Sequence, residues 1–220
     1  MAASQNGWAA GKGQYHTTRK NADAFISAEK PHYGILSLAA FLDYKGKHSV
    51  EVIGQAQVAR AGGQQYHIVS KTSSDLGGCK GKTLASDHAD DPKFIEKVVS
   101  KGAFKLGDFT LVNTTRPVQT LKKVISDEAV CALIDDAQYA ELGKLEGGSA
   151  VKSVWSGDKL PPMVVVAFPS APAAEKKAFQ SSLGKLCEGD GAAACKEVGI
   201  NSLKSAGASD YASVTTAYDK

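Results

Sequence analysis

The run from Lys82 to Ile134 repeats one pattern three times. Lys82-Thr-Leu-Ala-Ser86, Phe109-Thr-Leu-Val-Asn113 and Ala129-Val-Cys-Ala-Leu-Ile134 are strand-sized apolar stretches, each followed by helical periodicity. After the first come Asp90-Asp91-Pro92, acids and a proline suited to a helix start, then Phe94, Ile95, Val98 and Val99 on one face. After the second, Thr114 or Thr115 stands at the cap position before Pro117, and Val118, Leu121, Val124 and Ile125 predict a buried stripe. The third stretch is apolar throughout, as expected of a centre strand in a parallel sheet, and Ala137 to Leu145 reads as its helix. Such alternation defines an α/β protein, whose sheets bind ligands at the carboxyl ends of their strands.

Upstream, His16 to Glu29 has the spacing of a short amphipathic helix, with Ala22, Phe25 and Ile26 on its apolar side, and Lys30-Pro31 ends it. His32 to Leu36 reads as a strand, and Ser37 caps an apolar helix from Leu38 to Leu42. Val50 to Ile53 and Gln57 to Ala59 read as extended, and Gln65 to Ser70 as a strand. Downstream, Val151 to Trp155 and Met163 to Phe168 are strands. A helix follows Pro172 to about Leu186, and Ser209 to Tyr218 closes the chain as another.

Composition narrows the function classes. With 220 residues, 43% hydrophobic and a net charge of +3, the chain can bury a sizeable core and is not disordered. The mild charge, without a Lys/Arg run interleaved with aromatics, argues against nucleic acid. No stretch approaches the roughly 20 apolar residues of a membrane span. Met1 to Gly7 has no basic segment leading into an apolar one, so the chain is expected either to be cytosolic or to have lost its leader. Cys187 and Cys195 bracket a short flexible loop and can close locally, which leaves Cys79 and Cys131 to pair with one another. The alternative is four reduced thiols; the even count tilts the reading to an oxidising compartment.

The order of motifs resembles type II periplasmic solute-binding proteins, closest to the phosphate/phosphonate-binding group of ABC-transporter receptors. The segment Ala22 to Leu38, with His32-Tyr-Gly-Ile-Leu36 at its heart, is similar to an early segment of that family. Tyr66-His-Ile-Val-Ser-Lys71 followed by Asp75-Leu-Gly-Gly-Cys-Lys-Gly-Lys-Thr-Leu-Ala-Ser86 resembles its "DLKGK" signature, Asp127 to Asp135 its "GEADAAAVD" strand, and Ser153 to Ala167 its return strand. The resemblance implies a two-lobed α/β fold, with residues 1–66 and 164–220 forming the first lobe and 67–163 the second. It implies an extracytoplasmic receptor that captures a small polar ligand, phosphonate-like or zwitterionic, for an ABC permease, with no cofactor. A sensing or accessory module of the same fold and a degenerate, non-binding homologue are the alternatives. Three departures stand out. The family's S-T-S-G turn reads Ser86-Asp-His-Ala-Asp-Asp-Pro92 here, so three carboxylates sit where an anion would bind, a repulsion of several kcal/mol in a closed cleft. Val130 replaces the acid within "GEAD", and the first strand–helix unit of the first lobe is expected to be missing.

The resemblance ranks Asp135 first among binding residues, as partner of a ligand ammonium. Arg116, the one arginine between residues 67 and 163, can clamp a carboxylate or phosphate bidentately beside Thr114 and Thr115 at a helix start, although a surface arginine paired with a neighbouring acid reads almost equally well. Ser86, Asp87 and His88 lie at a strand's carboxyl end, where Asp87 suits a cation. Tyr66 can stack on a ligand or be an ordinary half-buried strand tyrosine, and Ser37 can face a ligand or be a plain cap. His16, His32, His48, His67 and His88 have no metal-site spacing. With no nucleophile elbow, P-loop, dinucleotide fingerprint or Cys–His pair, the chain is not expected to be an enzyme.

Overall fold

The computed structural model describes residues 13–58 and 62–220; Met1 to Gly7 and Ala59 lie outside them. The described chain forms two compact units, one from 13–58 and 162–212, the other from 62–161 and 213–220.

The first unit is built on a four-stranded antiparallel sheet of order β1-β8-β2-β9, where β1 is Tyr33–Leu36, β2 Glu51–Val58, β8 Met163–Ala167 and β9 Ile200–Ser205. The valine run of β8 is buried on both faces between its two neighbours, which explains why it reads as unbroken apolar sequence. Helix α1 (Arg19–Glu29) precedes β1. Helix α2 begins at Leu38 under the Ser37 cap and runs to His48, six residues past the expected end. The ion pair of Asp43 with Lys47, one turn apart at 2.8 Å, supports that extension. The expected helix after Pro172 is α5 (Ala173–Ser182) continued by a 3-10 turn through Lys185. Strand β9 was not anticipated: its burial follows no clean alternation, and pairing with β2 organises it. Gly54 of β2 sits so close beneath β9 that a Cβ there would lie 2.7 Å from the Lys204 carbonyl oxygen.

The second unit carries a mixed five-stranded sheet of order β5-β4-β6-β3-β7, with β3 Tyr66–Ser70, β4 Thr83–Ser86, β5 Thr110–Asn113, β6 Cys131–Asp135 and β7 Lys152–Ser156. β4 is parallel to β5 and β6, whereas β3 is antiparallel to β6 and β7. The sheet expected to be parallel around β6 is therefore parallel on one side only. A fully apolar strand reports burial of both faces, which either direction satisfies.

Helix α3 (Pro117–Ile125) packs Leu121 and Val124 against Ala132, Ile134 and Ala85. Its inward stripe starts at Thr120, while Val118 is 52% exposed. At 100° per residue, Val118 falls off the face that Thr120, Leu121 and Val124 share. Neither Thr114 nor Thr115 caps this helix. Arg116 holds the N-cap position without a side-chain bond. Behind β6 lies α4 (Asp136–Leu142), and the opposite side is covered by a helical segment that opens at Pro92 and widens to π geometry over Phe94–Val99. The expected flexible loop between Cys187 and Cys195 holds the start of α6 (Gly191–Glu197), and α7 is Ala212–Asp219.

All four cysteines are bridged, Cys79 to Cys131 and Cys187 to Cys195. The first bridge closes 52 residues and ties the turn Gly77–Cys79 to the start of β6; the second closes only 8. Chain entropy gives about 4 kcal/mol for the long loop and about 2.5 kcal/mol for the short one. Cys79→Ala/Cys131→Ala should therefore lower the thermal midpoint more than Cys187→Ala/Cys195→Ala, as differential scanning calorimetry will read. Equal losses would show that the bridges act through native contacts instead.

Candidate functional site

Because β4, β5 and β6 run parallel, their carboxyl ends open on one side of the second unit. The buried Ser86 hydroxyl ends β4. It donates to the Leu133 carbonyl at 3.0 Å and accepts from the His88 backbone N–H at 3.0 Å, turning the chain just past the strand. Asp87 and His88 follow, and their side chains retain 10% and 21% exposure.

Asp87 Oδ1 accepts hydrogen bonds from Thr120 Oγ1 (2.7 Å) and from Gln138 Nε2 (3.0 Å). The single Thr120 proton is thereby committed, so the 2.6 Å contact with Thr114 Oγ1 must be donated by Thr114. Asp135 ends β6 and caps α4. Its Oδ1 accepts from the Gln138 backbone N–H at 2.9 Å, and Gln138 Oε1 accepts from the Asp135 backbone N–H at 3.0 Å, a reciprocal capping box.

Gln138 is 4% exposed, and its amide has only one workable orientation. The oxygen faces a backbone N–H, and the nitrogen faces the Asp87 carboxylate and, at 3.4 Å, the Pro117 carbonyl. Flipping it would set donor against donor and acceptor against acceptor. His88 Nε2 lies 2.7 Å from Gln138 Oε1, an oxygen that can only accept, so His88 donates from Nε2. The same nitrogen stands 3.8 Å from Asp135 Oδ2 and 3.9 Å from Asp87 Oδ1. Tyr66 pairs in register with Asp135, and its ring meets His88 edge-on at 5.3 Å.

The electrostatic character is acidic. Burial pushes the Asp135 carboxyl above its ordinary value, opposed by the Gln138 N–H and by His88 and reinforced by Asp136 and Asp87. Gln138 and Thr120 offer dipoles to Asp87 but no countercharge. Of the two acids that follow, Asp91 is buried and accepts from the Phe94 N–H at 2.9 Å, whereas Asp90 is exposed. The neighbouring α3 start has the opposite character. Arg116 and Thr115 are exposed there, and the Arg116 guanidinium makes no ion pair among the described residues. Thr115 Oγ1 donates to Gln119 Oε1 at 3.2 Å.

The structure thus gathers Tyr66, Ser86, Asp87, His88, Thr114 and Asp135 into one polar cluster. The bond from Gln138 to Pro117 joins them to the turn carrying Thr115 and Arg116. Ser37 belongs to the first unit, where its hydroxyl accepts from the Ala40 N–H at 3.3 Å. Sequence reasoning missed Gln138 and Thr120. Gln138 had a signal, since Asp135-x-x-Gln138 is the spacing of a capping box, whereas nothing local marked Thr120. The described residues hold no group of three side chains able to bind a metal ion.

No protein-family model and no curated sequence match the chain. Solved structures do. XAC2383 from Xanthomonas citri bound to ATP superposes with a TM-score of 0.77 at 8% identity, covering 99% of this chain and 88% of that one. A binding protein component of an ABC phosphonate transporter from Pseudomonas aeruginosa gives 0.71 at 14% identity, covering 98% and 76%. PhnD1 from Prochlorococcus marinus in complex with methylphosphonate gives 0.65 at 9% identity, covering 90% and 81%. The chain has the α/β fold of type II periplasmic solute-binding proteins.

Asp135→Asn keeps a capping oxygen and removes the buried charge. The raised Asp135 value means that ionisation opposes folding, so wild-type stability falls relative to Asp135→Asn as pH climbs through the window above 3.8. Melting curves at pH 4 and pH 7 should show the variant gaining on the wild type at the higher pH. Asp135→Ala, which deletes the cap, should cost about 0.5–2 kcal/mol at both.

Proposed function

We propose that this chain is the extracytoplasmic solute-binding protein of an ABC transporter, taking a small zwitterion whose ammonium meets Asp135 and whose acidic group meets the start of α3. One observation carries the reading. The carboxyl ends of β4 and β6 present Asp87 and Asp135, while the adjoining turn presents Arg116 at the positive end of a helix. Two charge signs side by side fit an amino acid or an aminoalkylphosphonate better than a bare phosphonate, which the two carboxylates oppose. Arg116 supplies a planar fork for the acidic group. Asp135 Oδ2, which takes no hydrogen bond from the described residues, supplies an acceptor for the ammonium. The proposal also covers a permease partner and the lobe division 1–66 with 164–220 against 67–163, from which the described units depart by placing 62–66 and 213–220 with the second.

The fold likeness supports a binding role, and the two disulfides support an oxidising compartment. No helix among the described residues is long and apolar enough to cross a membrane.

Thermal-shift screening against amino acids, aminoalkylphosphonates, alkylphosphonates and polyamines tests the reading. A zwitterion at 100 times its Kd should stabilise by about 2.7 kcal/mol, and both Asp135→Asn and Arg116→Ala should abolish the shift. The shift should also weaken as pH falls toward the Asp135 midpoint above 3.8, because only the ionised carboxylate binds an ammonium. A panel without hits, or hits indifferent to both substitutions, would remove this function.

A further inference from the structure

On the second unit, apart from the polar cluster, a cavity of about 430 Å³ is lined by Lys97, Lys101, Lys105 and Lys220, with Phe104, Ala217 and Glu96 completing its walls. We propose that this groove docks an acidic, amphipathic segment of a partner protein. Charge is the first reason. Glu96 is the one acid on the lining, and its Oε1 is already taken by the Leu106 N–H at 2.9 Å. Lys101 has an outside partner, Asp158 at 2.7 Å, but Lys97 and Lys220 have no ion pair among the described residues. Lys93 extends the positive stripe and lies over the Tyr218 ring, 4.4 Å from its centroid, which ties α7 to this face.

Shape is the second reason. Lys93 and Lys97 lie on the helical segment, whereas Lys101, at positive φ, and Lys105 lie on the chain beyond its end at Val99. An extended chain presents alternate residues to one side, so acids on that side can meet the lysine ammoniums while the intervening apolar side chains meet Phe104 and the lysine stems. A recess accepts a chain segment, whereas a planar lipid surface meets only its rim. The floor is also fixed in place. The Ser100 hydroxyl shares its one proton between the Phe104 and Glu96 carbonyls and accepts from the Gly102 N–H, and Phe104 packs on Phe109 and Trp155.

The test measures fluorescence anisotropy of a labelled peptide, Ala-(Glu-Leu)4-Ala, with the full chain at 50 and 200 mM NaCl, alongside flotation with vesicles containing 30% phosphatidylglycerol. Lys97→Glu/Lys105→Glu should weaken peptide binding at least tenfold at 50 mM NaCl and flatten its salt dependence. Lys20→Glu/Lys204→Glu, an equal charge change on the first unit, should leave binding within twofold of wild type. Equal losses in both variants, absence of peptide binding, or binding to the vesicles alone would each overturn the proposal.

Discussion

The buried amide of Gln138 holds the functional end of the second unit together. One side chain meets the backbone N–H of Asp135, the carboxylate of Asp87, the imidazole of His88 and the carbonyl of Pro117. It therefore connects the carboxyl ends of β4 and β6 with the starts of α3 and α4. An amide this deeply buried is costly unless each of its groups is satisfied, so its partners are held in one arrangement. That constraint fixes His88 as a donor and leaves Asp135 Oδ2 3.8 Å from it, with no hydrogen bond from the described residues.

From this arrangement follows the charge character of the site. In the expected phosphonate-type pocket the turn after β4 would greet an anion with hydroxyls and amide N–H groups. Here the single hydroxyl, that of Ser86, is turned inward to the Leu133 carbonyl, and the carboxylates of Asp87 and Asp135 flank His88. At the N-terminus of α3, with no acid in its first turn and Arg116 before it, the helix field and a side-chain charge both favour an anion. The zwitterion proposed for this site spans the two environments.

Much of this could be read before any coordinates. The three strand–helix repeats, the Ser37 cap, the local Cys187–Cys195 pair and the position of Asp135 at a strand end all depend on neighbours within a few residues or on unbroken apolar runs, whereas the Cys79–Cys131 pair, 52 residues apart, followed only by elimination. The misreadings have a common source. Thr114 and Thr115 looked like caps because hydroxyls before Pro117 usually are, yet Thr114 is drawn to Thr120, whose own proton goes to Asp87 thirty-three residues away. Val118 looked buried because valine usually is, and Thr120 took the inward face because Asp87 offered its hydroxyl an acceptor.

Local chemistry, then, decided what each segment is: apolar runs require burial, and prolines and capping side chains set where helices begin. Strand direction, the β9 pairing and the meeting of Gln138 with Asp87 were decided only in three dimensions. An apolar strand is equally satisfied by a parallel or an antiparallel neighbour, and a hydrogen bond between residues fifty positions apart leaves no periodicity in the chain that makes it.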